Sequence, residues 1–424
     1  MDGKKVSSGG ITPEMRCPAR EYMSCTIDDR IPGEKDPSRF IQPRRRPVYE
    51  KGPGLYYSHE DLNAEFFHLP YELPETMPGQ EVFLKLTASL AKPRKWAGAG
   101  HETAWEQFRL EVGPVLRPAP LPETPSPSLR GGKEPSVSNG WTVLSSGKTF
   151  LAAGGVPLIL GTPSLNVLRA PLDNDGVRLT DCMPLKRWND KALYEIGPTG
   201  GDVAAAETPG RAALIFDADY STPAVKSGIR LFQKYVLDSF GIIHGEAVFH
   251  VSAELRDLPR LGLLFLLPGI FSRVTWFGRG PHENFRDRNA GAPVGLYTAT
   301  VEEMHVPYIK PQENGNRTDV RFLVLSSEAA EEKLLVTAPD ILEFSVSRYS
   351  MKELASKKHD SELVKSDCVF LKLDFMQRGV GSVSCGPDTR QEYRTESGRF
   401  VFRFNLCPFS GSTAKMLENV RSVY

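Results

Sequence analysis

Three short segments of the chain combine carboxylates, arginines and amides, which are the residue types that bind sugar hydroxyls or perform acid–base chemistry. They are LNVLRAPLDNDGVRL (165–179), WFGRGPHENFRDRNAGAPVGLY (276–297) and VPYIKPQENGNRTDVRF (306–322). Their candidate sugar-facing or loop-bracing residues are Arg169, Asp173, Asn174, Asp175, Glu283, Asp287, Arg288, Glu313, Asn314 and Arg317. The same residue types also form ordinary turns and arginine–carboxylate braces between loops. Taken singly, each segment favours that plainer interpretation.

The rest of the sequence carries no recognised catalytic or metal-binding motif. It has no GxSxG elbow, HExxH, P-loop or dinucleotide-binding fingerprint. The six cysteines include no CxxC pair, so we expect free thiols in a reducing compartment and neither a zinc site nor a disulfide framework. His101 and His282 lie in glycine-containing loops and are interpreted as structural hydrogen-bond donors.

Composition and charge exclude several classes of partner. Lysine plus arginine equals aspartate plus glutamate at 52 each, so no net field attracts nucleic acid or a membrane surface. The amino-terminal MDGKKVSSGG lacks the apolar stretch of a signal peptide. The most apolar run, 261–271, is too short to span a bilayer. We therefore predict a cytoplasmic protein with no nucleic-acid or membrane partner.

Short strand patterns position the three segments. Apolar residues alternate in EVFLKLTASL (81–90) and recur in AWEQFRLEV (104–112), which predicts two strands within a small, incomplete β-domain at 55–112. Residues 113–140 hold seven prolines and are predicted to be a linker. Residues 1–54 lack periodicity and are interpreted as a disordered or truncated amino-terminal segment.

The carboxyl-terminal part, 141–424, is predicted to be a large antiparallel β-sandwich or barrel, which makes the fold class all-β. It contains a series of strand patterns, and just one stretch, SMKELASK (350–357), resembles a helix. A buried strand that starts at 261 is expected to run on to Trp276 and Phe277 and so to deliver the second segment. Loops held by rigid strands are where binding groups concentrate.

Taken together, the segments are similar to a known family. LRAPLDND, WFGRGPHENFRDR and PYIKPQENGNRTDVR occur in the order and approximate spacing found in the carboxyl-terminal region of glycoside hydrolase family 2 β-galactosidases, which split enzymes carry as a separate small chain. GHETAWEQFRL (100–110) resembles the end of the immunoglobulin-like domain that precedes this region. The resemblance implies a supersandwich similar to galactose mutarotase over 141–424 and a partial immunoglobulin-like domain over 55–112.

The resemblance also implies hydrolysis of terminal β-D-galactosides with retention, by two glutamates on a TIM barrel that holds most of the metal ligands as well. The sequence shows no alternation of strands and helices that would form this barrel. We therefore expect no catalytic residue, no cofactor and no metal site in this chain. Large bacterial members stack a tryptophan on the substrate, and Leu406 stands at that position.

The leading hypothesis is the carboxyl-terminal or small-chain portion of a β-galactosidase, inactive alone. Its implied partners are a β-galactosidase large chain or further copies of itself, with carbohydrate as ligand. The alternative is a stand-alone carbohydrate-binding or mutarotase-like protein, with Glu283, Glu313 and His282 as candidate acid and base groups. A structural protein that retains the scaffold alone is a third interpretation.

Overall fold

The structure, a computed structural model, describes residues 81–110, 136–176, 183–208, 211–413 and 415. The predictions for residues 1–54 and for most of the linker therefore lie outside the described residues. The chain divides into two compact units, Met1–Leu116 and Arg117–Tyr424.

The described part of the first unit is an antiparallel hairpin of β1 (Val82–Ser89) and β2 (Glu102–Leu110). The strands pair from Val82 opposite Leu110 to Ala88 opposite Ala104. The connection closes through backbone bonds from Leu90 N to His101 O (2.9 Å) and from Gly100 N to Leu90 O (2.8 Å). Both strands predicted from the apolar pattern are confirmed.

The described part of the second unit contains one 15-stranded antiparallel sheet. Its strands are β3 (Ser136–Ser138), β4 (Thr142–Ser145), β5 (Thr149–Ala153), β6 (Val156–Asn166), β7 (Gly197–Thr208), β8 (Arg211–Ser221), β9 (Ile229–Asp238), β10 (Ile243–Val251), β11 (Arg260–Pro268), β12 (Arg273–Arg279), β13 (Val294–Thr300), β14 (Arg317–Ser326), β15 (Lys333–Ser347), β16 (Cys368–Gln377) and β17 (Gly398–Phe409). Two short helices, α1 (Pro184–Asp190) and α2 (Met351–Ser356), lie between strands. The predicted all-β fold is confirmed.

The sheet follows the order β3-β4-β5-β6-β11-β16-β15-β17-β10-β9-β8-β7. A branch of β14, β12 and β13 leaves this path at β15. The first half of β15 pairs with β17 and its second half with β16. At the far ends of the path, β3 lies beside β7 and β8, so the sheet curls until its two ends meet.

Strand alternation directs one face of the sheet into the hydrophobic core. Leu371 and Leu373 of β16 and Phe344 of β15 are fully buried in that core. The alternate residues of β16, including Lys372 and Asp374, point to the opposite face, as the period of two requires. Those charged residues are buried as well. Both faces of this part of the sheet are therefore covered.

Helix α2 was expected, but α1 was not. Helix α1 has seven residues, starts with proline in its first turn and buries Trp188. The Trp188 Nε1 donates to Asp257 O at 2.7 Å. Tertiary contact of this tryptophan, rather than a long apolar stripe, accounts for the helix.

Two sequence expectations need correction. The run from 261 to 277 is not one strand: β11 ends at Pro268, and Trp276 and Phe277 belong to β12, which pairs with β13 and β14. A Cβ added at Gly269 would lie 2.1 Å from Asp367 O, so the chain passes too close to its neighbour for a side chain at the break. The sheet also begins at Ser136, inside the range predicted as linker.

Within the described residues, no helix has the length and apolarity to cross a membrane.

Candidate functional site

The structure joins the three predicted segments to one another. Ala170 of the first and Glu313 of the third exchange hydrogen bonds, from Glu313 N to Ala170 O (3.1 Å) and from Ala170 N to Glu313 Oε2 (3.2 Å). Asn284 of the second and Asn316 of the third do the same, from Asn284 N to Asn316 O (2.9 Å) and from Asn316 Nδ2 to Asn284 O (3.0 Å). The loops therefore form one connected unit.

This unit rests on a set of buried charges that we call the polar layer: Arg260, Glu313, Glu343, Lys372 and Asp374, each at most 4% exposed. Lys372 Nζ donates to Glu313 Oε1 at 2.5 Å. Arg260 Nη1 lies 3.1 Å from the same carboxylate, and its Nη2 lies 3.3 Å from Asp374 Oδ2. Buried charges are costly unless paired, and here they pair between the sheet and the third segment.

Burial and neighbouring charges in the polar layer shift the pKa values of Glu313, Lys372 and Asp374. Burial disfavours the ionised form of Glu313, but Arg260 and Lys372 outweigh it and lower its pKa to about 2. Burial lowers the pKa of Lys372, against the attraction of Glu313. Burial raises the pKa of Asp374 to about 7, against the attraction of Arg260. Glu313 is therefore a fixed anion at neutral pH, while Asp374 titrates there.

In the first segment, Arg169 and Asp175 form a fully buried bidentate pair. Arg169 Nε donates to Asp175 Oδ2 at 3.0 Å and its Nη2 to Oδ1 at 2.5 Å. Arg169 Nη1 also donates to Arg378 O at 2.7 Å, and Leu172 N donates to Asp175 Oδ2 at 2.9 Å. The pair fixes this turn against the end of β16.

The other two candidates of the first segment contact neighbouring loops. Asp173 N donates to Gln312 Oε1 at 3.1 Å, in the third segment. Asn174 Nδ2 donates to Gly381 O at 2.8 Å, in the loop after β16. Both contacts hold the turn in place, as the bracing interpretation expects.

In the second segment, Asp287 and Arg288 bind the loop after β16. Asp287 accepts hydrogen bonds from Val380 N (3.0 Å) and Gly381 N (2.8 Å). Arg288 Nη2 donates to Gly381 O at 2.6 Å, and its Nη1 to Asp287 Oδ2 at 3.0 Å. Asp287 therefore holds the loop after β16 by accepting hydrogen bonds from its backbone amides, and the half-exposed Arg288 lies beside it.

Asp287→Ala is expected to lower the free energy of unfolding by about 1–3 kcal/mol, because two partly buried backbone N–H groups lose their charged acceptor. Arg288→Ala is the matched control, since its guanidinium is 48% exposed and an exposed pair contributes about 1 kcal/mol or less. Denaturant unfolding of the two variants checks the difference. Equal unfolding midpoints for Asp287→Ala and the parent would contradict it.

Glu283 and Arg317 bind backbone groups and neutral side chains rather than opposite charges. Glu283 accepts hydrogen bonds from Gly315 N at 2.7 Å and from the Tyr308 hydroxyl. Arg317 donates to the Pro281, Gly315 and Asn316 carbonyls and lies over the Trp276 ring at 5.1 Å. Among the described residues, neither is within ion-pair distance of an opposite charge. Burial lowers the pKa of Arg317 to about 10, with Glu283 opposing the shift.

Two further positions complete the predicted set. Asn314 is buried and shapes its own turn, accepting from Val306 N at 3.0 Å and donating to Gln312 O at 2.9 Å. Leu406 is fully buried in the core, between Ile243 of β10 and Val336 of β15. The side chain at that position therefore packs inside the sandwich.

Sequence reasoning missed the strand residues of the polar layer: Arg260, Glu343, Lys372 and Asp374. In CVFLKLDFM the charged residues alternate with apolar ones, a pattern typical of a solvated face. A signal in the sequence was charge of both signs within one otherwise apolar strand.

In the described part of the chain, no group of three or more histidine, cysteine, aspartate or glutamate side chains could hold a metal ion.

Comparison with known families follows the same division of the chain. Residues 143–406 match the family described as the β-galactosidase small chain, and residues 62–111 match β-galactosidase domain 4. The chain belongs to the β-galactosidase small-chain family. The chain is therefore the carboxyl-terminal portion of a β-galactosidase.

Curated relatives of this β-galactosidase region extend the match. The β-galactosidase of Psychromonas ingrahamii is 30% identical over 352 residues, which cover 78% of this chain and 33% of that protein. That of Vibrio cholerae is 32% identical over 319 residues, covering 72% and 30%. The chain thus spans about a third of the length of the curated relatives it matches. A galactose mutarotase-like protein from Lactobacillus casei is 11% identical with a TM-score of 0.34, over 65% of this chain and 100% of that one, a likeness too slight to carry an argument.

Proposed function

We propose that this chain supports the hydrolysis of terminal β-D-galactosides by holding three loops beside a catalytic barrel. A partner chain or another segment of the same protein supplies that barrel. The observation that carries the proposal is the polar layer: it anchors the third segment to the sheet through Arg260 and Lys372, and the third segment in turn bonds to the other two. The loops then present a fixed surface, as preorganised binding requires.

The carboxylates of these loops are poorly suited to catalysis by themselves. Retaining hydrolysis needs two carboxyl groups about 5–5.5 Å apart, one of which is protonated at working pH. Glu313 is buried against two cations, and its pKa of about 2 removes it from general-acid use. Glu283 is occupied by Gly315 N and Tyr308. The stand-alone mutarotase-like alternative relies on these two carboxylates together with His282 and is therefore less well supported.

The purified chain alone is expected to show no turnover of a chromogenic β-galactoside. The matched positive control is the Vibrio cholerae β-galactosidase assayed under the same conditions, and co-expression with the barrel-bearing segment from the same source is expected to give activity. Turnover that co-purifies with the chain and is lost in Glu283→Gln would contradict the proposal. It would favour the stand-alone enzyme instead.

A further inference from the structure

Asp374 is the carboxylate of the polar layer with the weakest set of hydrogen-bond donors. Its Oδ1 accepts from Asn166 Nδ2 at 3.3 Å, and its Oδ2 has no hydrogen-bond partner among the described residues, although Arg260 Nη2 lies 3.3 Å away. Glu313, by comparison, accepts from Lys372 at 2.5 Å and from Ala170 N at 3.2 Å. A carboxylate with so few donors is costly to bury in its ionised form.

The sheet also places a like charge beside Asp374. The register of β15 and β16 sets Glu343 directly opposite Asp374, and both are buried. Glu343 is the better satisfied of the two, since Arg286 and Asn316 donate to it. Like charges directly opposite each other on antiparallel strands are destabilising, and a shared site of two carboxylates readily retains one proton.

Asp374 packs closely against the neighbouring strand. On the neighbouring strand, a Cβ added at Gly262 would lie 2.3 Å from Asp374 Oδ1 and 2.4 Å from Leu373 O. The glycine lets the carboxylate sit against the backbone of β11, away from solvent. In this buried position, binding a proton removes the cost of the charge.

We propose that Asp374 is a proton-binding site that couples pH to the docking of the third segment on the sheet. The groups facing it are Arg260 on β11, Glu343 on β15, Lys372 on its own strand, Glu313 from the loop and the neutral Asn166 on β6. Protonated Asp374 leaves the Arg260 guanidinium to Glu313. Ionised Asp374 competes for the same guanidinium and weakens the anchor of the loop.

The direction in which stability changes with pH follows from the raised pKa of Asp374. Burial raises the pKa of Asp374 to about 7, with Glu343 and Glu313 adding to the rise while Arg260 and Lys372 oppose it. An unfolded aspartate has a pKa of about 3.9. Between these values the folded state holds a proton that the unfolded state has lost, so stability falls as pH rises from about 4 to about 7 and levels off above.

The first test compares the unfolding equilibria of the parent and Asp374→Asn from about pH 5 to about pH 8. The unfolding constant of the parent, relative to the variant, is expected to rise up to about tenfold per pH unit until about pH 7 and then to level off. Asp190→Asn, which removes an exposed carboxylate of α1, is the control and should track the parent. Parallel profiles for the parent and Asp374→Asn would overturn the proposal.

The second test needs no variant. Backbone amides of residues 306–317, corrected for intrinsic exchange, are expected to lose hydrogen-exchange protection from about pH 6 to about pH 8, while those of β9 and β10 do not. The infrared band of a protonated carboxyl group should be present at the lower pH and absent at the higher. Unchanged protection of 306–317, or no such band at the lower pH, would overturn the coupling. Neither test depends on galactosidase activity.

Discussion

Glu313→Gln is expected to lower the free energy of unfolding by about 3–5 kcal/mol, the cost of breaking a buried ion pair by removing one partner. The substitution leaves Arg260 and Lys372 buried without the carboxylate that now lies 3.1 and 2.5 Å from their nitrogens. The amide can still accept a hydrogen bond, but it supplies no charge. Denaturant unfolding followed by far-ultraviolet circular dichroism measures the loss, and failure to recover folded protein would be the extreme of the same result.

Asp190→Asn serves as the matched control. Asp190 pairs with Lys186 at 2.7 Å on the surface of α1, with side chains 35% and 55% exposed for Lys186 and Asp190, so its loss should cost about 1 kcal/mol or less. The pH dependence adds a second signature. Because the folded pKa of Glu313 is about 2 and the unfolded value is about 4.3, its contribution is present above about pH 5 and is lost as pH falls toward 2. A Glu313→Gln protein as stable as the parent at neutral pH would show that the polar layer does not depend on this anion.

Arg169→Met is expected to have a similar effect, about 3–5 kcal/mol. The methionine fills much of the space but leaves Asp175 fully buried and without a counter-charge. It also removes the donor to Arg378 O. Arg230→Met is the control, because Arg230 forms an equally bidentate pair with Asp217 while 60% exposed, and should cost about 1 kcal/mol or less.

A double variant separates charge from packing in this pair. If the uncompensated carboxylate is the cause, Arg169→Met/Asp175→Asn should be more stable than Arg169→Met, since the second change removes the buried charge. If the two losses simply add, the ion pair is not the source of the stability. Unfolding of the four proteins of this cycle under one set of conditions decides between these outcomes.

The sequence brought Arg169 and Asp175 into one candidate segment because they stand six positions apart, although it did not predict that they pair. The partners of Glu313 could not be found this way. Lys372 lies 59 positions further along the chain, and Arg260 lies on another strand. They meet Glu313 because β11 and β16 are neighbours in the sheet. That adjacency is a property of the topology rather than of any local pattern.

Alternation predicted the strands better than it predicted their surroundings. The LKLD stretch of β16 has the alternation of a strand, yet a polar residue at every second position normally faces water. Here the loops cover that face, so Lys372 and Asp374 are buried. The break between β11 and β12 also depends on tertiary contacts. Gly269 lies at this break and passes close to Asp367 O, a residue almost 100 positions away, so no local pattern could reveal it.

The position of β17 sets the order in which this protein can assemble during translation. Although β17 is the last strand of the described chain, it lies between β10 and β15 in the middle of the sheet. The β10 edge is synthesised roughly 150 residues earlier, which at about 5–20 residues per second is about 8–30 s of exposure on the ribosome. During that interval the apolar side chains of β10 and the unpaired amides beside them are open to other chains. A nascent chain stopped before residue 398 would keep that gap, so messages truncated there should yield insoluble product rather than a shorter domain.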